Sequence, residues 1–402
     1  MKTRIVATGA GVISPIAPDI SMFESALYEG GPPIGPSSLL NASYNVAEIR
    51  GFDAAPLLGS KGLRVLDRTA RLVCVAVHLA LENAGLHRNS QEEWEWDLGL
   101  VCGTMLGSVH SIASFDWSGL IDSPQFVSPL EFPNTVINSP AGQAAIRFNL
   151  KGINSTICAG FASGVCAIAY AASFLRTGRA RTLLAGGAEE LCEETVFGFY
   201  KSQAASPTGS VQPFASGRTG CVPGEGAAFL VLETEAGAVE RGRKPLWEIA
   251  GAGSAHDNSG EPLTANAGGE DTAIAIALEE AGIGAGQIAC IVSGANGTRA
   301  VDHMEAHMLR QVFGSRLSEI PLCAPKAATG EASGASGALN SVIAGIALQK
   351  RSLPPTPGYR ENAYGLRMSD KSQPVEGEYA LVNASGCDGI HAALVLRRCE
   401  RT

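Results

Sequence analysis

Short apolar strands that stop in a cluster of small residues and restart as helices recur along the whole chain, and this alternation restricts the fold more than any other feature. Residues 4–8 read as a buried strand stopped by a glycine turn over 9–15. Residues 67–86 (DRTARLVCVAVHLALENAGL) place Leu72, Val75, Leu79 and Leu86 on related faces of one helix, with Asn83 and Gly85 near its end. Strands are expected over 96–102, 155–158, 181–188 and 226–232, the first followed by residues 103–117, which begin with small residues and turn helical. After a polar stretch at 233–244 the pattern begins again. It predicts strands over 246–253 and 288–293, helices over 271–281 and 338–348, and a closing hairpin of 379–385 with 391–396. The second half thus echoes the first, with a seam at 239–245 dividing the chain into units 1–244 and 245–402. Such alternation implies α/β layering.

At 402 residues, 45% hydrophobic and only 17% charged, the chain can form two to three domain-sized units or two halves fused around a large buried centre. A net charge of -9 with no run of Lys or Arg gives a nucleic-acid partner almost no electrostatic support, although one local basic patch suffices for an acidic carrier protein. The ten cysteines show no metal-ligand or redox spacing and read as reduced, small hydrophobes of a cytoplasmic protein. The opening MKTRIVATGAGVISPI reads as a first strand and glycine turn rather than a signal peptide. No apolar span reaches the roughly 18 residues of a membrane helix, so no membrane partner is expected.

The most informative corner is STICAGFASG at 155–164, between a strand and a helix. A tight corner of this kind presents one side chain over a helix N-terminus, where many enzymes mount a nucleophile. Here that residue is Phe161, and a phenyl ring has no nucleophilic atom. Other glycine corners accompany it: TGAGVISP at 8–15, RVLDRTA at 64–70, AGGAE at 185–189, PFASGRTGCVPGEG at 213–226, KAATGEASGASG at 326–337 and NASGCDG at 383–389. In order and spacing these resemble the β-ketoacyl synthases, condensing enzymes of thiolase fold, over essentially the whole chain. The resemblance implies an α/β fold of duplicated five-layer α-β-α-β-α architecture.

An active member of that family carries a Cys at the corner, backbone N–H groups as an oxyanion hole, and two histidines that assist malonyl decarboxylation. Laid onto this sequence, the three side-chain positions are Phe161, Asp257 and Asn296. Lys326 is retained, Glu331 stands where a histidine follows glycine, and Ser385, Cys387 and Asp388 replace the closing motif's aromatic and glycine residues. The combination resembles a chain-length factor, the noncatalytic partner of a type II polyketide ketosynthase, although Gln is commoner than Phe at the corner of such proteins. That resemblance implies no cofactor and no metal. The partners it implies are an active β-ketoacyl synthase subunit in a heterodimer or dimer of heterodimers, and an acyl carrier protein contacting the complex.

Within that frame, Glu225, Lys326 and Glu331 read as a remnant electrostatic network ordering the corners beneath Phe161. Val109, Ile112, Phe115, Trp117 and Phe132 read as bulky residues that set the width of an interface tunnel, and strand 155–158 as part of the partner interface. Cys158 is expected to be buried and structural, since a three-residue shift displaces its sulfur about 10 Å from the corner in an extended chain. Cys166 lies within the following helix and Cys387 in the closing loop. His256 adjoins Asp257 and so points to the opposite face of a strand; His303 and His307, four apart, lack a third ligand and read as surface residues. Two alternatives remain: a divergent synthase or malonyl decarboxylase with an unrecognised site, and a structural partner without control of chain length.

Overall fold

The computed structural model describes residues 2–30, 34–40, 44–86, 98–256, 269–386 and 388–400. Ten strands form one mixed sheet: β1 (Ile5–Ile13), β2 (Gly99–Gly103), β3 (Asn154–Ile157), β4 (Thr182–Glu189), β5 (Gly226–Thr234), β6 (Trp247–His256), β7 (Ile288–Val292), β8 (Leu322–Cys323), β9 (Tyr379–Ser385) and β10 (Ile390–Arg398). Their spatial order is β8-β7-β9-β10-β6-β1-β5-β4-β2-β3. Each strand of the first five has a counterpart five strands later with the same neighbours and the same sense. β2 runs parallel to β3 and β4, as β7 does to β8 and β9, and antiparallel β4–β5–β1 matches antiparallel β9–β10–β6. The two half-sheets meet only where Ile5–Ala7 of β1 pairs with residues 247–249 of β6.

Helices complete the layers: α1 (Arg68–Asn83), α2 (Val109–Ile121), α3 (Ser139–Phe148), α4 (Ser163–Arg176), α5 (Glu193–Lys201), α6 (Gly269–Ala281), α7 (Arg299–Phe313) and α8 (Ser336–Lys350). α4 and α8 pack on each other between the half-sheets, within a core drawn from both halves. α8 is buried throughout Ser336–Leu348, as its almost unbroken apolar and small composition requires. α1 and α3 cover the outer face of the first half-sheet, and α6 and α7 that of the second. Asp67 starts α1 by accepting the Ala70 N–H at 2.8 Å. The result is the α-β-α-β-α stack.

The glycine turn expected at 9–15 is instead the continuation of β1 to Ile13. Gly11 is small because α1 lies directly on the strand: a Cβ there would come within 2.1 Å of the Ala76 carbonyl oxygen. Glycine inside a strand here marks a close helix contact rather than a bend.

Candidate functional site

β3 delivers the chain to the corner in front of α4, in the middle layer. Gly160 adopts φ 53°, the left-handed value that reverses the chain, and Ser163 locks it by accepting the Ala159 N–H at 2.9 Å and donating to the Gly160 carbonyl at 2.6 Å. Phe161 emerges next, only 8% exposed, its ring centroid 6.5 Å from that of Phe199 on α5. The Lys326 ammonium lies 5.6 Å from the Phe161 ring centroid, within cation–π range. Asp388 closes on the same corner, for a Cβ on Gly160 would lie 2.0 Å from its Oδ2.

Lys326 donates to Glu331 Oε2 at 2.7 Å, and Asn296 Nδ2 donates to the same oxygen at 2.8 Å. The other oxygen accepts the Ser333 N–H at 3.0 Å and the Ser336 hydroxyl at 2.9 Å. Asn296 Oδ1 accepts both the N–H and the hydroxyl of Thr298, at 3.0 and 2.8 Å, which fixes the amide in place. An amide held at both ends exchanges no proton. Asp302, on the first turn of α7, accepts the N–H groups of Asn296 and Gly297 at 3.0 Å each, and burial pushes its carboxyl up to about 6.

Glu225 does not join that cluster. Its fully buried carboxylate is gripped by Arg68 at 2.7 and 2.6 Å and accepts the Ile49 and Leu191 N–H groups at 2.9 and 3.2 Å, so it ties α1 to the loops beside β5. The residue absent from the sequence reading is Glu189, at the end of β4. Its buried carboxylate accepts the Met105, Leu106 and Gly334 N–H groups at 2.7, 3.0 and 2.9 Å and the Thr104 hydroxyl at 3.0 Å. Its signal was an acid ending the glycine-rich run AGGAE.

Cys158 is exposed, not buried: it follows β3, the last strand of the sheet, which pairs with a neighbouring strand on one side only among the described residues. Its thiol sits 3.2 Å from the Met105 carbonyl, and desolvation raises its pKa, unfavourable for a nucleophile. Cys166 is half-buried in α4, and burial pushes its thiol up to about 11. His256 ends β6 at an exposed position, His303 Nδ1 lies 3.2 Å from the Tyr364 hydroxyl, and His307 Nε2 lies 3.2 Å from Gln311. Among the described residues no group of three or more His, Cys, Asp or Glu could hold a metal. Asp257 and Cys387 lie outside the described residues.

The expected gate residues separate. Val109, Phe161 and Phe199 line a cleft of about 1010 Å³ with Met105, Leu106 and Val301, while Asn296, Thr298 and Arg299 bring polar groups to it. Ile112 and Phe115 are half-buried on α2, and the Phe115 ring packs at a tilt against that of Phe132, centroids 5.8 Å apart. Trp117 (66%) and Phe132 (59%) face outward, in a stretch where Leu120, Ile121, Phe126 and Leu130 are at least as exposed as Phe132.

Residues 2–238 match the family model of the β-ketoacyl synthase N-terminal domain, and residues 246–360 that of the C-terminal domain. The chain belongs to the β-ketoacyl synthase family, with the thiolase fold. Within it, a structure similar to this chain is the ishigamide ketosynthase/chain length factor, 25% identical with a TM-score of 0.93 over 100% of both chains. A β-ketoacyl synthase from Burkholderia phymatum is 27% identical, with a TM-score of 0.88 over 100% of each. The ketoacyl synthase beta subunit of the tetracenomycin polyketide synthase from Streptomyces glaucescens is 32% identical over 409 residues, 98% of each chain. The 3-oxoacyl-[acyl-carrier-protein] synthase 2 of Coxiella burnetii is 29% identical over 414 residues, 99% of each. No helix among the described residues is long and apolar enough to cross a membrane.

Proposed function

We propose that this chain is a noncatalytic chain-length factor that pairs with an active β-ketoacyl synthase and shapes the tunnel for a carrier-bound polyketide or polyene chain. The observation that carries this reading is Phe161, a ring without a nucleophilic atom on a corner whose backbone is otherwise fully built. Asn296, clamped by Glu331 and Thr298, is an amide and cannot act as a general acid or base as a histidine can. Pairing is supported by the outward apolar residues of 117–132 and by Ile146, 79% exposed on α3, a helix that packs against the strand that ends the sheet. Exposed apolar side chains and an open sheet edge are features that a partner covers. On this reading Val109, Ile112, Phe115, Trp117 and Phe132 set the tunnel's width by bulk, while Glu225, Lys326 and Glu331 hold the loops in place. The complex is a heterodimer or a dimer of heterodimers contacted by acyl carrier protein, working in the cytoplasm.

The test is co-expression with the cognate synthase, carrier and extender supply. A stable two-chain complex is expected, and shrinking a tunnel-lining residue lengthens the released product without abolishing the partner's chemistry. A chain that never joins the synthase, or product lengths unchanged across folded variants of all five residues, would count against the proposal.

A further inference from the structure

α2 carries Val109, Ile112, Phe115 and Trp117, yet none of its 13 residues is buried. A helix of that length gains most of its stability, and its place in a fold, from a packed apolar face, so something else holds this one. Its own cap does not. Ser108 makes no side-chain bond to the helix, and its buried hydroxyl has no hydrogen-bond partner among the described residues. The bonds come instead from outside, on both sides of Gly107, whose φ of 65° turns the chain into α2. Before the turn, Glu189 takes the Met105 and Leu106 N–H groups, and the Thr69 hydroxyl of α1 donates to the Gly107 carbonyl at 3.2 Å. After it, Glu190, only 4% exposed, accepts the His110 N–H at 3.2 Å, and Asp67 accepts the Ser111 hydroxyl at 3.2 Å. The His110 ring lies 3.2 Å from the Glu194 carboxylate on α5. Carboxylates gathered at a helix N-terminus are favoured by the unpaired N–H groups and aligned peptide dipoles there. These acids do different work. Glu189 also holds Gly334, so it belongs equally to the corner before α8, and Asp67 also caps α1. Glu190 reaches the α2 backbone, whereas Asp67 and Glu194 reach α2 side chains.

We infer that Glu190 is a positioning residue for product length: its buried side chain fixes the first turn of α2 and thereby sets where the bulk of Val109, Ile112 and Phe115 stands in the tunnel. The tunnel is that of the proposed function, on which this inference rests; the clamp is a property of this chain alone.

Residue-resolved hydrogen exchange on the purified full chain tests the clamp without a partner. First-turn amides have no acceptor inside their own helix, so protection of the His110 amide in the native chain is the expected sign that Glu190 holds it. Glu190→Met keeps the bulk and removes the acceptor. Exchange at His110 and through the first turn of α2 should then speed up at least about fivefold, the size of a lost cap, while Glu190→Gln, whose amide oxygen still accepts, stays within about twofold of the native chain. An unprotected His110 amide in the native chain overturns the inference even if neither variant folds, and a Gln variant as loose as the Met variant overturns it too. The complex with the cognate synthase, carrier and extender supply then reads product length. Glu190→Met should shift the distribution of released lengths with total turnover held, and Glu190→Gln should not. Unchanged lengths in Glu190→Met beside a shift in Val109→Ala would overturn the inference and leave the proposed function standing. Unchanged lengths in both, or no complex at all, would count against the proposed function and overturn the role in product length with it, while the exchange result would still establish the clamp.

Discussion

The corners that start α4 and α8 share one backbone plan and carry different side chains. Residues 159–164 read AGFASG and residues 332–337 read ASGASG. In each, the second residue is left-handed, φ 53° at Gly160 and 45° at Ser333, and the first N–H bonds to the fifth residue's hydroxyl, at 2.9 Å in one and 3.0 Å in the other. The third position differs. Phe161 faces the cleft, whereas Gly334 is pressed against the Met105 backbone, where a Cβ would lie 2.5 Å from the amide nitrogen. A corner's chemistry thus resides in one side chain, while its shape is held by hydrogen bonds and packing that do not involve that side chain. Loss of a nucleophile therefore need not disturb the fold.

Exchanging the third residues is the harshest way to break this comparison. Gly334→Phe has no space for its ring and is expected to cost more than about 5 kcal/mol, leaving the chain insoluble or unfolded. Phe161→Ala, beside an open cleft, should remain folded at a cost of about 3 kcal/mol. Equal tolerance in urea denaturation would mean that the corners are not differently constrained.

A smaller effect comes from the tie between them, since Lys326 lies over Phe161 and bonds to Glu331, which in turn holds the second corner through Ser333 and Ser336. Lys326→Met strands a buried carboxylate and is expected to cost about 3–5 kcal/mol, with the double variant Lys326→Met/Glu331→Gln recovering part of the loss. A cost below about 1 kcal/mol for the single variant would argue that the pair does not couple the corners.

The smallest effect divides the halves by pH. Burial pushes Glu190 in the first half and Glu305 in the second each up to about 7. The folded chain holds these protons to higher pH than the unfolded chain, so their stabilisation is full at low pH. It is lost as pH rises from about 4.5 through 7, at no more than about 1.4 kcal/mol per pH unit for each carboxyl. Glu190→Gln and Glu305→Gln should each flatten the fall of melting temperature between pH 5 and 7. An unchanged slope in either variant would remove that half's contribution.

Much of this was legible in the sequence, because strand–corner–helix alternation and glycine spacing are local signals. The helix over 67–86, the hairpin of β9 and β10, and Phe161 at a corner could all be read from residues close in the chain. What escaped depends on distant partners. Gly9 and Gly11 look like a turn until α1 is laid across them, and Glu225 looks like a neighbour of Lys326 until Arg68 arrives from 157 residues away. Cys158 reads as the end of an apolar strand but lies just past β3, the last strand of the sheet, and is exposed. The paired hexapeptides were visible all along; only the shared backbone geometry gives their likeness meaning.

The central claim, that this corner carries no acyl group, is tested most directly by intact-mass spectrometry of both chains after the complex with its synthase meets acyl-loaded carrier. The expected result is a stoichiometric acyl adduct on the partner and none on this chain. A reproducible adduct on this chain, mapped to Cys158, Cys166 or Cys387, would contradict the claim and make this subunit a catalyst in its own right.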